Sequence, residues 1–228
     1  MENNFKTVAI ILAAGIGSRM RSDTTKQKMK ICGKSVLLRT ALAFECANTV
    51  DGIVIVCRSE EIDFAKNELL GLKKIIDFVP GGATRRDSAE AGFFASRDAD
   101  FVAIHDAARC MITPEAIDSV ISAAHKYGAA SAVGAVNDTV KLVNKDGIIE
   151  RTVPRDSLRL AQTPQVFSRE IYEKALGTQE NGITDDNMMA ESVGAQIKTV
   201  TLDCYNFKIT THADIEYAQF LVEKGYAK

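Results

Sequence analysis

Thr7-Val-Ala-Ile-Ile-Leu12, running into Ala13-Ala-Gly15-Ile-Gly17-Ser-Arg19-Met20, is the stretch that decides the fold. Six nearly continuous apolar, partly β-branched residues bounded by a glycine-bearing loop predict a strand covered on both faces. Runs of the same kind recur at 53–57, 75–79 and 101–105. Between them lie helical patterns with start signals. Ser35 precedes 36–47, Ser59 precedes 60–70, and Gly81-Gly82 precedes 87–95. Thr113-Pro114-Glu115 combines an N-cap, an N1 proline and an early acid ahead of 115–127, and Gly128 closes that helix. This alternation predicts an α/β fold of Rossmann-like type, with a mostly parallel sheet and helices on both faces.

After about residue 135 the rhythm changes. Two strand-like runs, 139–143 and 148–153, are joined by Asn144-Lys-Asp146-Gly147, a hairpin signal. Pro154 ends the second run, 161–167 reads as a return to the sheet, and helices at 185–193 and 213–224 flank a strand at 196–202. No linker or repeat interrupts the chain, so the expectation is one domain over 1–228 with a protruding β-hairpin arm at about 136–157.

Composition narrows the function. The 228 residues are 46% hydrophobic and 25% charged, with a formal charge of −2. That length buries a core without staples. Near-neutral charge argues against sequence-independent nucleic-acid binding. The longest apolar run, 8–14, is far short of the roughly 18 residues of a membrane span. The N-terminus shows no basic segment ahead of a long apolar stretch, as a secretory signal would. Five cysteines, at 32, 46, 57, 110 and 204, show no CxxC spacing and read as reduced thiols of a cytoplasmic protein.

Ligands of open α/β sheets bind beyond the carboxyl ends of the strands, so the residues after each run matter most. Gly15 and Gly17 let backbone N–H groups close on a phosphate, and Arg19 adds a fixed charge. Six basic residues against one acid between Arg19 and Lys34 fit a loop around a polyphosphate or a solvated basic loop. Met20 occupies the third glycine position of GxGxxG, and there is no GxxxxGK[ST], which disfavours a dinucleotide dehydrogenase. Asp106, ending the fourth run, suits Mg²⁺ or caps the following turn. His105 points to the opposite side of that strand and reads as structural. Gly81–Ser88 either reads a base edge through backbone groups and the Ser88 hydroxyl or starts a helix. Lys208 stands beside a strand-to-helix passage, where a lone lysine ordinarily faces solvent. With no GxSxG and three scattered histidines, the surplus of Arg and Lys points to phosphoryl or nucleotidyl transfer.

LAAGIGSRM (12–20), TKQ (25–27), GGATRRDS (81–88), HDAAR (105–109), NDTVK (137–141), QTPQVF (162–167), ITDD (183–186) and NFKITT (206–211) occur in this order. Together they resemble the 2-C-methyl-D-erythritol 4-phosphate cytidylyltransferases of non-mevalonate isoprenoid biosynthesis. The resemblance implies a CTP-dependent transferase in which Arg19 and Lys26 stabilise charge at the α-phosphate. It assigns Ala13, Ala14, Gly15 and Gly17 to the triphosphate and base loop, and Gly82 and Ser88 to cytosine and ribose. Asp106 becomes the Mg²⁺ ligand, and Arg155 and Lys208 hold the sugar phosphate for attack. Ala107, Arg109 and Thr139 join the substrate contacts, Thr139 on an arm through which a homodimer forms. Thr25, Cys110 and Arg159 stand where the family commonly has Pro, Pro and an aromatic residue. The alternatives are the related ribitol-5-phosphate cytidylyltransferases and a nucleotide-sensing domain without turnover.

Overall fold

The computed structural model describes residues 5–15, 25–178 and 183–227. In chain order the elements are β1 (Thr7–Leu12), β2 (Lys30–Ile31), β3 (Lys34–Ser35), α1 (Val36–Cys46), β4 (Gly52–Cys57), α2 (Ile62–Glu68) and β5 (Ile75–Pro80). They continue with α3 (Arg85–Ala95), β6 (Phe101–Asp106), α4 (Pro114–Tyr127), β7 (Ala129–Ala135), β8 (Val140–Val143) and β9 (Ile149–Val153). β10 (Arg159–Ser168), α5 (Arg169–Leu176), α6 (Asp186–Ser192), β11 (Lys198–Thr201) and α7 (His212–Glu223) complete the chain.

Seven strands form one sheet in the order β11-β7-β10-β6-β1-β4-β5. All pairings are parallel except those of β10, which runs against both β6 and β7. The pleat sends alternate residues to opposite faces. Ala9, Ile11, Ile53, Ile55 and Ala103 meet α1, α2 and α4 through Phe44, Ala65 and Ile117. Val8, Ile10, Val54, Val56 and Ile104 meet α3, α5 and α6 through Phe93, Tyr172 and Met189. A third cluster, including Ile31, Met111, Ile209 and Leu221, packs α7 against the β2–β3 turn.

Local signals account for most boundaries. Ser35, Thr113 and Ser168 accept the N–H groups of Leu38, Ala116 and Ile171, capping α1, α4 and α5. Gly128 ends α4 at φ +83°, a conformation that glycine adopts without strain. Two expectations need correction, and the sequence reading leaves out two elements. The run at 75–79 is not covered on both faces: β5 is an edge strand, half-exposed, with Ile76 open to solvent. Ser59 does not cap α2, which begins as a 3₁₀ turn over Ser59–Glu61. β7 was not anticipated, because Ala-Ala-Ser-Ala-Val-Gly-Ala holds one β-branched residue. α5 was not anticipated either, because it follows β10 with no intervening turn.

The arm is a two-stranded sheet of β8 and β9, apart from the main sheet. Asn144 folds its tip by accepting the N–H groups of Asp146 and Ile148, with Gly147 at φ +80°. Leu142, Val143, Ile148 and Ile149 are exposed along it.

Candidate active site

The sheet changes direction at β1 and β6, where successive strands depart to opposite sides, and the site lies beyond the carboxyl ends there. Leu12 and Asp106 are register partners at those ends. A cleft of about 630 Å³, within the range of small-molecule sites, opens above them. Its walls are Ala14 and Gly15 after β1, Lys26 and Gln27, Arg58 to Glu60 after β4, Gly81 to Arg85 with Ser88, then Asp106, Ala108 and Lys208.

The glycine wall is built by close approach. The Gly81 N–H donates to the Cys57 carbonyl at 2.8 Å, prolonging the β4–β5 ladder. A Cβ on Gly81 would overlap that of Ala14, and one on Gly82 would overlap that of Asp87, so both positions need glycine. Gly82 N–H donates to Ser88 Oγ at 3.2 Å, and the Ser88 hydroxyl donates to the Thr84 carbonyl at 2.9 Å. Thr84 and Asp87 close a capping box on α3. The Ser88 oxygen therefore serves the helix start while lining the cleft.

Lys26 stands on a short 3₁₀ turn anchored on both sides. Thr25 Oγ1 donates to Glu61 Oε1 at 2.6 Å, Lys28 Nζ lies 3.5 Å from the same carboxylate, and Gln27 Nε2 donates to the Gly15 carbonyl at 3.3 Å. Thr25, where the resembling family commonly has proline, thus ties the turn to a buried acid instead.

Asp106 is the electrostatic centre. Arg85 Nε donates to Oδ1 at 3.2 Å, Lys208 Nζ donates to Oδ2 at 2.8 Å, and Arg109 Nε lies 3.9 Å away. Burial alone would raise the carboxyl pKa, but Arg85 and Lys208 hold it well below the usual carboxylate range. Arg85 is also fixed by Asp186, whose Oδ2 accepts its Nη1 at 2.6 Å. Burial would lower the Arg85 pKa, yet the two carboxylates hold it above the ordinary arginine value. Arg109 donates through Nη1 to the Asn206 carbonyl at 2.8 Å. His105 is fully buried, and burial pushes its pKa down to about 3. Its Nε2 lies 3.3 Å from the Arg109 carbonyl, which only accepts. Nε2 therefore carries the proton and Nδ1 accepts from the Thr163 hydroxyl at 3.0 Å. The structural reading of His105 fits this geometry.

Of the anticipated site residues, Ala14, Gly15, Lys26, Gly82, Ser88, Asp106 and Lys208 share the cleft. Arg109 Nε lies 3.9 Å from Asp106 Oδ2. Ala13 and Ala107 bury their side chains in the core, and their N–H groups donate to Val56 and Leu12 carbonyls. Arg155 and Thr139 are exposed on the arm and line no part of their own chain's cleft. The Arg155 guanidinium donates to the Asn137 carbonyl. Gly17 and Arg19 lie outside the described residues. Lys208, which reads as solvent-facing from its neighbours, is paired with Asp106. Arg85 and Asp186 carry no assigned role in the sequence, although both sit inside motifs singled out there. The paired acids Asp185-Asp186 were the available signal.

The family model for 2-C-methyl-D-erythritol 4-phosphate cytidylyltransferase matches residues 7–224. A protein of that name from Pelotomaculum thermopropionicum is 37% identical over 96% of this chain and 94% of its own length. A bifunctional IspD/IspF enzyme of Desulforudis audaxviator is 39% identical over 96% of this chain, which spans 57% of that longer protein. Among solved structures, 4-diphosphocytidyl-2C-methyl-D-erythritol synthase of Anaerococcus prevotii superposes with a TM-score of 0.85 at 30% identity, covering 97% of each chain.

Proposed function

Because the chain belongs to the 2-C-methyl-D-erythritol 4-phosphate cytidylyltransferase family, we propose that it transfers the cytidylyl group of CTP to 2-C-methyl-D-erythritol 4-phosphate. The observation that carries this reading is the convergence of Lys26, Arg85 and Lys208 with Asp106 in one glycine-walled cleft. An acceptor phosphate oxygen forms a bond to the α-phosphorus of CTP, the bond to the α–β bridging oxygen breaks, and pyrophosphate leaves with that electron pair. The acceptor is a monoester with a second pKa of about 6, so it attacks as a dianion and needs no general base. The obstacle is repulsion between two anions. Lys26 and Lys208 offset it, together with Arg19 in the reading that the family resemblance suggests.

The Asp106 carboxylate fits Mg²⁺ in this reading. Among the described residues no cluster of three or more His, Cys, Asp or Glu side chains could hold a metal ion. Asp106 instead offers one carboxylate, which suits a cation that completes its shell with phosphate oxygens and water. Asp106 would hold the ion, which would supply charge neutralisation at the phosphates. Lys208 shares Oδ2 and sits on a flexible stem, so it is the partner able to give way.

The arm supports a dimer. A two-stranded hairpin is marginal alone in water, and this one exposes Leu142, Val143, Ile148 and Ile149. In our reading it packs on a second copy of the chain and presents Arg155 and Thr139 to that copy's cleft. Free thiols at all five cysteines accord with a cytoplasmic setting, and no helix of the described residues is long and apolar enough to cross a membrane.

The test supplies purified protein with CTP, Mg²⁺ and each sugar phosphate in turn and measures pyrophosphate. Methylerythritol phosphate should exceed ribitol 5-phosphate by at least about tenfold, or about 1.4 kcal/mol in the transition state. Equal rates or a ribitol preference would reverse the acceptor assignment, and CTP binding without turnover would leave a sensing domain. Mixing Arg155→Glu with Lys26→Ala after dissociation should restore about a quarter of sites if the arm crosses between subunits. With subunit exchange verified, no recovery would refute the shared site.

A further inference from the structure

The motif at 183–186 has no role in the reaction as described, yet it places a buried acid against the site. Asp186 is 1% exposed. Its Oδ1 accepts the Tyr172 hydroxyl at 2.7 Å, its Oδ2 accepts Arg85 Nη1 at 2.6 Å, and its own N–H donates to Gln165 Oε1 at 3.0 Å. Asp185 caps α6 and accepts Gln165 Nε2 at 2.8 Å, which fixes the same glutamine from the other end. Arg85, at the first turn of α3, therefore spans two carboxylates. One is buried behind it, and the other is Asp106, whose Oδ1 it meets through Nε at 3.2 Å.

We propose that Arg85 is a positioning residue for the reaction, held by Asp186 so that it fixes Asp106 Oδ1 and turns Oδ2 toward the incoming phosphates. Two of the three cations near Asp106 are anchored. Arg85 is tied to Asp186, and Arg109 is tied to the Asn206 carbonyl. The third, Lys208, donates to Oδ2, the oxygen that Arg109 Nε approaches at 3.9 Å, and its side chain is 36% exposed. A guanidinium bridging at two different nitrogens sets direction as well as charge, which a single ammonium cannot do. Tyr172 belongs to the assembly because its buried hydroxyl donates to Asp186 Oδ1, and burial and the Asp186 charge raise its pKa well above the ordinary value, so it remains a donor. Asp186 never reaches the cleft and acts only through Arg85.

This inference rests on the cytidylyltransferase reading, and the wild-type protein in the same assay separates the two. Pyrophosphate release would be measured for wild type, Arg85→Lys, Asp186→Asn and the double variant. Mn²⁺ binding to each protein–CTP mixture would be followed by electron paramagnetic resonance, and urea unfolding would verify that each variant is folded. Asp186→Asn should lower kcat by about tenfold or more while KM for CTP stays within about threefold. Mn²⁺ affinity should fall by about tenfold, as for other partners that orient a metal ligand. The double variant should match the weaker single variant, because the two residues act in series. Arg85→Lys keeps the charge but loses the bridge, so it should resemble Asp186→Asn. A folded Asp186→Asn with wild-type kcat and Mn²⁺ affinity would overturn the proposal, as would additive losses in the double variant. Wild type inactive toward every acceptor would remove the reading beneath it. If Asp186→Asn does not fold, Tyr172→Phe takes its place, and unchanged kcat and Mn²⁺ binding in that variant would equally overturn it.

Discussion

Replacing Lys208 by alanine separates catalytic from structural electrostatics at Asp106. The Lys208 ammonium donates to Oδ2 at 2.8 Å, but its side chain is 36% exposed, whereas the Asp106 side chain is 12% exposed. Removing it does not strand the carboxylate, which keeps Arg85 at 3.2 Å and Arg109 at 3.9 Å. Water screens the half-exposed ammonium, so the stability loss should be about 1 kcal/mol or less. The catalytic loss should be larger. A charge aimed at the reacting phosphates contributes about 3 kcal/mol, or roughly a hundredfold or more in kcat. Steady-state pyrophosphate release and urea unfolding on one preparation give both numbers. A stability loss above about 3 kcal/mol, the cost of breaking a buried pair, would make Lys208 a structural partner. A kcat within about fivefold of wild type would equally defeat the argument.

Glu61→Gln should destabilise the protein by about 1–3 kcal/mol in urea, because a buried acid loses Lys28 and Arg58 while keeping its Thr25 bond. It should also lower kcat, since the turn carrying Lys26 loses an anchor. Gly81→Ala should raise KM for CTP by about tenfold or more in initial-rate measurements, because the added methyl overlaps Ala14 and forces the two loops apart. His105 titrates near 3 when folded against about 6.5 when unfolded, so its contribution to stability is complete above pH 6.5 and is lost as pH falls toward 3. From pH 7 to pH 5 that contribution falls by about 2 kcal/mol, visible as a fall in urea midpoint that His105→Gln should remove.

How much of this was legible follows from range along the chain. β1 and the caps of α1 and α4 depend on neighbours within a turn, so local pattern finds them. β7 is a strand because β10 and β11 flank it, not because alanine favours extended backbone. In the cleft, the glycines and Asp106 announce themselves at strand ends. Lys208 does not, because its partner lies 102 residues earlier. Arg85 and Asp186 are 101 residues apart, and nothing local in Thr-Arg-Arg-Asp distinguishes the bridging arginine from its neighbour. Arg86 instead turns to the carbonyls of Leu176 and Thr178.

β10, the antiparallel strand of the seven-stranded sheet, gives these long-range pairings a common cause. A parallel crossover would carry the chain from β7 to a distant strand start, whereas β10 enters beside β7 straight from the arm and runs back along β6. Its register shifts between Ala161 and Gln165, and in that irregular stretch Thr163 turns its hydroxyl onto the Asp106 N–H at 3.1 Å and onto His105. Asn206 then donates to the Gln162 side chain and the Thr163 carbonyl, both at 2.9 Å, which fixes the segment bearing Lys208. Ile209 completes the attachment by donating to the Ala108 carbonyl at 2.8 Å. Asp106 and the segment bearing Lys208 are thus fastened through Gln162 and Thr163 of β10, the strand that leads out of the arm. In the dimeric reading, an acceptor held by Arg155 on one chain meets a Lys208 whose position is set by the strand that carries its own chain's arm. In the same reading, reversing β10 puts the arm and the strand that fixes Asp106 on one continuous piece of backbone.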